Sequence, residues 1–136
     1  MSARKGSAPP MMGTAEQAQA VIDAINYPPT GTRGAAFGIA HDDYTPRSVT
    51  EAIAFANAKT SFVALIETAE GIGNVESIAA LDGCDCLWIG HFDLSNSLGI
   101  PGEFDNPKFT NAVARVMAAG KANGKSVGRL VPTQIC

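Results

Sequence analysis

The amino-acid sequence predicts an α/β fold with parallel strands. Short runs rich in β-forming residues alternate with segments of helical periodicity, the connections between them are short, and no fixed-period repeat overrides that alternation. Strand, helix, strand in that order favours parallel pairing through right-handed crossovers.

Residues 1–9 read as a loose tail of Ser, Ala, Lys, Arg and Pro, followed by a domain over 10–131 and a short tail over 132–136. Thr14 and Gln17 have the spacing of a capping box, and Ala18, Val21, Ile22 and Ile25 recur on one helical face, so 14–26 should be helical. Paired prolines and glycines in "YPPTGTRG" end it. "AAFGIAHDDYTP" fits either a short strand or a folded loop. Residues 48–59 should be helical, with Val49, Ile53 and Ala56 along one face. "SFVALIE", 61–67, is too short for a core helix and reads as a buried strand. A short helix at 73–81 and a strand at 85–90 follow. "HFDLSNSLGIPGEFDNP" exceeds the usual loop length and fits a functional rim loop. Asn106 then Pro107 reads as an N-cap with proline at the first helical position, and the helix should stop at Gly124. "KSVGRLV" would be the last strand.

Composition narrows the function classes. The chain has 136 residues, 46% of them apolar and 17% charged, which is enough for one hydrophobic core and argues against wholesale disorder. A net charge of −3 with scattered Lys and Arg provides no field for nucleic acid. No window approaches the roughly 18 consecutive apolar residues of a membrane span, and the first residues lack a signal-peptide core, so a cytoplasmic protein is expected. Cys84, Cys86 and Cys136 are too few for a disulfide framework, and "CDC" is too tight for a zinc knuckle; idle thiols are the expectation.

Two acids stand out. Glu67 closes one expected strand, and Asp93 lies three residues after Gly90, which closes the next. In parallel α/β folds, functional groups gather at the carboxyl ends of strands, and neighbouring strands lie about 4.8 Å apart. Two carboxylates so close repel each other, a conflict that a divalent cation removes. An all-oxygen pair suits a hard ion such as Mg²⁺ or Mn²⁺, leaving coordination positions for water and for the oxygens of a 2-oxo acid. A helix cap or a surface ion pair is the plain alternative for either acid alone.

"YPPTGTRG" followed by "VALIETAEGIGNVESIAALDGCDCLWIGHFDLSNSLGIPG" resembles the HpcH/HpaI aldolase family, and the likeness runs from about Pro10 to about Gly128. The resemblance implies a (β/α)₈ TIM barrel, present here in part, that binds Mg²⁺, Mn²⁺ or a similar ion such as Co²⁺. It implies a carbon–carbon lyase, a class II aldolase that cleaves or forms 4-hydroxy-2-oxo acids through a metal-stabilised pyruvate enolate, with pyruvate and an aldehyde as small-molecule partners. It also implies a homo-oligomer. Carried over by motif, Glu67 and Asp93 are the metal ligands. The resemblance puts the backbone N–H groups of Phe92 and Asp93 where the family holds the oxo-acid carboxylate, and Gly90 would let the backbone approach it. Leu65 stands where many members have a substrate-contacting Gln. The family's histidine base and keto-polarising arginine find no match in this chain, and a whole barrel typically takes about 250 residues. Two other readings stay open: an inert partial barrel that binds metal or a partner subunit, and a citrate-lyase-like or malyl-CoA-lyase-like activity.

Other residues receive plainer readings. His91 is expected to be a loop histidine facing water, and a His41–Asp42 or His41–Asp43 base pair is disfavoured because adjacent residues rarely face one another. Arg33 should brace its loop or a subunit contact, Ser95 should be a turn or cap residue, and Phe62 and Trp88 are core candidates.

Overall fold

The computed structural model describes residues 5–130. Its strands are β1 (Lys5–Ser7), β2 (Thr60–Ile66), β3 (Cys86–Ile89) and β4 (Ser126–Arg129). They form one sheet in the order β1-β2-β3-β4, with every neighbouring pair parallel. Strand order that follows chain order, with no switch point, is how successive staves of a (β/α)₈ barrel are laid, not how a doubly wound sheet is. Helices α1 (Ala15–Ile25), α2 (Val49–Lys59), α3 (Ala69–Gly73), α4 (Val75–Ala79), α5 (His91–Ser97) and α6 (Pro107–Ala122) fill the crossovers.

Part of the expected N-terminal tail is a strand. Lys5–Ser7 pair with Thr60–Phe62. Pro9 and Pro10 lack an N–H, so the ladder stops there and resumes where the Met12 N–H donates to the Leu65 carbonyl at 3.0 Å. Composition hid this strand because three residues carry too little apolar signal. Residues 1–4, the 132–136 tail and Cys136 lie outside the described residues.

Side-chain hydroxyls and amides set most helix starts. Thr14, Ser48, Thr68 and Asn106 each accept a backbone N–H from the first turn of α1, α2, α3 and α6. The reciprocal capping box forms at Ser48 and Glu51, whereas Gln17 reaches past Thr14 to the Gly13 N–H. The expected helix over 73–81 is two short helices, broken at Asn74, whose side chain donates to the Gly13 carbonyl at 2.8 Å. "AAFGIAHDDYTP" is a loop with one 3₁₀ turn, Ala40–Asp42. The long segment after β3 is not all loop, since its first seven residues form α5. Gly124 follows α6 at φ +65, the conformation expected of a residue just past a helix end.

The core lies on one face of the sheet. Phe62, Ala64 and Ile66 of β2 and Leu87 and Ile89 of β3 pack against Ile22, Ile78, Phe109 and Val116 of the helices. Each large side chain buried this way contributes about 1.5–3 kcal/mol. Strand alternation turns Ser61, Val63 and Leu65, with Cys86 and Trp88, to the other face, where all five are half-exposed. Phe62 is thus core as expected and Trp88 is not: its ring lies across β4, where a Cβ on Gly128 would collide with it.

Candidate active site

Glu67 follows β2 and belongs by alternation to the half-exposed face, directly above Leu65 in the side-chain row. This is why an otherwise apolar strand ends on a charge: Glu67 emerges on the face that the helices do not cover. Its Oε2 accepts the Met11 N–H at 3.0 Å. Its Oε1 side lies against Gly90, where any Cβ would collide with the carboxylate. Gly90 continues β3 by one residue, and its N–H donates to the Ile66 carbonyl at 3.3 Å. The two strand ends therefore touch through a carboxylate and a glycine. Met11 holds φ at +54, and nothing in the local sequence announces that its N–H points at Glu67.

Asp93 sits on the same rim, in the first turn of α5. It is exposed, and no described residue hydrogen-bonds or ion-pairs with its carboxylate. A negative charge there complements the helix dipole, whatever else it does. Helix α5 also differs from α1, α2, α3 and α6: Gly90 is its N-cap, with no side chain to take up the first N–H groups. Those groups, Phe92 and Asp93 among them, have no intrahelical acceptor. A second acceptor at the rim, such as a ligand carboxylate, would satisfy them.

The remaining expectations resolve unevenly. His91 does not face water. It is the first residue of α5 and is buried against Phe92 and Phe104, with ring centroids 4.5 and 5.2 Å away. Phe92 is exposed beside Asp93. Ser95 is fully buried; its hydroxyl donates to the Phe92 carbonyl at 2.8 Å and accepts the Gly102 N–H at 3.0 Å, tying the following loop to α5. His41 lies 3.2 Å from the Tyr27 hydroxyl and lines a cavity with Lys5 and Thr60, where β1 and β2 begin, so it is at the opposite end of the sheet from Glu67. Arg33 braces its loop, with its N–H on the Asn26 carbonyl at 2.9 Å and its guanidinium 4.5 Å above the Tyr27 ring. Cys84 and Cys86 are free, and burial pushes both thiols up from their ordinary range, as suits idle groups.

Among the described residues no three His, Cys, Asp or Glu side chains cluster as a metal cage. What the rim does offer is two oxygen donors, one braced and one free. Carboxylate oxygens are the donors that hard divalent ions such as Mg²⁺ and Mn²⁺ prefer, where soft thiolate donors favour softer metals.

The comparisons with known proteins bear on this geometry. A model of the HpcH/HpaI aldolase/citrate lyase family matches residues 6–134. The chain belongs to that family. Within it, a 4-hydroxy-2-oxovalerate aldolase from Novosphingobium aromaticivorans is 44% identical over 121 residues, covering 85% of this chain and 44% of the relative. A 5-keto-4-deoxy-D-glucarate aldolase from Klebsiella pneumoniae is 34% identical over 125 residues, covering 92% of this chain and 48% of the relative. The crystal structure of an HpcH/HpaI aldolase from Desulfitobacterium hafniense superposes with a TM-score of 0.87 at 29% identity, over 96% of this chain and 50% of that one. The chain thus spans about half the length of the aldolases it matches. The parallel α/β layout agrees with that half of the barrel-like aldolase fold. No helix among the described residues is long and apolar enough to cross a membrane.

Proposed function

We propose that this chain carries the metal-binding rim of a divalent-metal-dependent aldolase acting on 4-hydroxy-2-oxo acids, with pyruvate and an aldehyde as the products of cleavage. The observation that carries the reading is the contact between Glu67 and Gly90 at adjacent carboxyl strand ends, beside the uncapped start of α5. Glu67 and Asp93 would hold the ion, Mg²⁺ or Mn²⁺ by the hardness of the donors. When bound, such an ion supplies Lewis-acid stabilisation of the negative charge that builds on the oxo acid.

The chain's own residues do the rest of the positioning. The N–H groups of Phe92 and Asp93 take the substrate carboxylate, because they are the donors that no cap consumes. Gly90 leaves room for the Glu67 carboxylate, which a side chain there would displace. Leu65, below Glu67, gives an apolar floor where a polar contact would otherwise fix the donor half of the substrate. In cleavage the bond between C3 and C4 breaks, the C4 hydroxyl loses its proton, and C3 gains one after the aldehyde leaves. The base for that hydroxyl is not assigned to a residue of this chain.

The test combines two measurements on the 136-residue chain. Calorimetric titration should show one Mn²⁺ per chain, and a coupled lactate dehydrogenase assay should show Mn²⁺-dependent pyruvate release from a 4-hydroxy-2-oxo acid. Binding without release would assign this length of chain the inert, metal-binding reading. No binding would remove the metal site altogether.

A further inference from the structure

Ser97 is the last residue of α5, four positions after Asp93. Its hydroxyl oxygen accepts the Ala69 N–H at 2.9 Å across 28 positions of sequence. Ala69 opens α3, two residues beyond Glu67. The bond therefore joins the segment that carries one acid to the helix that carries the other. At the opposite end of α5, the Gly90 N–H is already fixed to the Ile66 carbonyl. The buried side chains of His91, Leu94 and Ser95 seat α5 on the core, and the two hydrogen bonds, one at each end, add its register against the corner that carries Glu67.

The bond has little to do for the fold itself. Ser97 and Ala69 are exposed, so water can satisfy either group once the other is removed. Thr68 independently caps α3 through the Gly71 N–H at 3.0 Å. What the bond adds is geometry. Ions of the Mg²⁺ class require ligands at about 2.0–2.1 Å in near-ideal octahedra, while Ca²⁺ tolerates about 2.3–2.6 Å and irregular shells. A rim whose two acids are held at a fixed separation discriminates between them, and a loose rim does not.

We propose that Ser97 is a positioning residue that fixes the separation of Glu67 and Asp93, and so makes the rim select small divalent cations over Ca²⁺. The inference rests on the reading above that these two acids share an ion. Calorimetry with Mn²⁺ and with Ca²⁺ on the wild-type chain, Ser97→Ala and Ser97→Thr tests it, with urea unfolding of each. Ser97→Ala should weaken Mn²⁺ binding about three- to tenfold, below the 10–100-fold typical of groups bonded directly to a metal ligand, because Ser97 acts through the backbone of Ala69. Ca²⁺ affinity should stay near its wild-type value, so the preference falls. Ser97→Thr keeps the hydroxyl and should restore it, and the urea midpoints of all three should agree. An unchanged Mn²⁺ to Ca²⁺ ratio in Ser97→Ala overturns the proposal and leaves the metal site intact. Equal weakening of both ions alongside a lower urea midpoint overturns it as well, in favour of a purely structural role. A wild-type chain that binds neither ion overturns both this proposal and the two-acid site.

Discussion

At the carboxyl end of β2 the acid is held before any ligand arrives, whereas at the end of β3 it is presented by a helix and held by nothing. Glu67 has a backbone donor on one oxygen and a glycine against the other side. Asp93 stands free on the first turn of α5. The contrast teaches how a two-ligand site can be both ordered and accessible. One carboxylate is fixed by the sheet, and the second is positioned only as well as its helix is. Substitution of Glu67 or of the Gly90 against it should therefore act on the ion and on the fold together, while substitution of Asp93 itself should act on the ion alone.

The largest effect is expected from Glu67→Ala. Mn²⁺ affinity should fall more than about a hundredfold, beyond the 10–100-fold typical of losing an indirect partner of a metal ligand, as read by calorimetry. Gly90→Ala should come next. Gly90 sits at φ −86, so alanine meets no backbone strain there, but its Cβ must displace the Glu67 carboxylate. Urea unfolding should show a loss of about 1–3 kcal/mol from overpacking, with Mn²⁺ binding impaired in the same protein. Asp93→Asn should sharpen the contrast. It should weaken Mn²⁺ about tenfold or more while leaving the urea midpoint almost unmoved, since exposed substitutions away from packed features change stability within about 0.5 kcal/mol. Arg115→Ala should have the smallest effect. Its two hydrogen bonds to Glu76, at 2.7 and 2.9 Å, and one to the Gly73 carbonyl at 3.1 Å lie on the helix side of the molecule with both charged side chains about half exposed, so Mn²⁺ affinity should not move and urea unfolding should show a loss of no more than about 1 kcal/mol. A drop in Mn²⁺ binding there would mean that the two corners are not independent of the outer helices.

Elements whose signal is local could be read from the sequence. Asn106 followed by Pro107 starts α6, and the β-former run before Glu67 is β2, because caps and periodicity are properties of a few adjacent residues. The parallel order of β2, β3 and β4 followed from alternation alone. The features that were not legible depend on distant partners. Lys5–Ser7 are a strand only because Thr60–Phe62 lie beside them. His91 is buried only because Phe104 packs over it, thirteen residues on. Half of the rim was legible in the same sense. The two acids and Gly90 were marked by spacing, whereas the Met11 N–H and the Ser97 hydroxyl have no sequence signature. Trp88 reads from the sequence as a core candidate. Its position in β3 turns it to the other face, and only Gly128 explains where its ring goes.

The most direct measurement is a crystal of the chain grown with Mn²⁺ and phased at the manganese edge. One anomalous peak should lie at about 2.1 Å from a carboxylate oxygen of Glu67 and of Asp93 alike, above the Leu65 row, with water completing the shell. A peak bound to only one of the two acids, or one elsewhere on the molecule, would contradict the shared site.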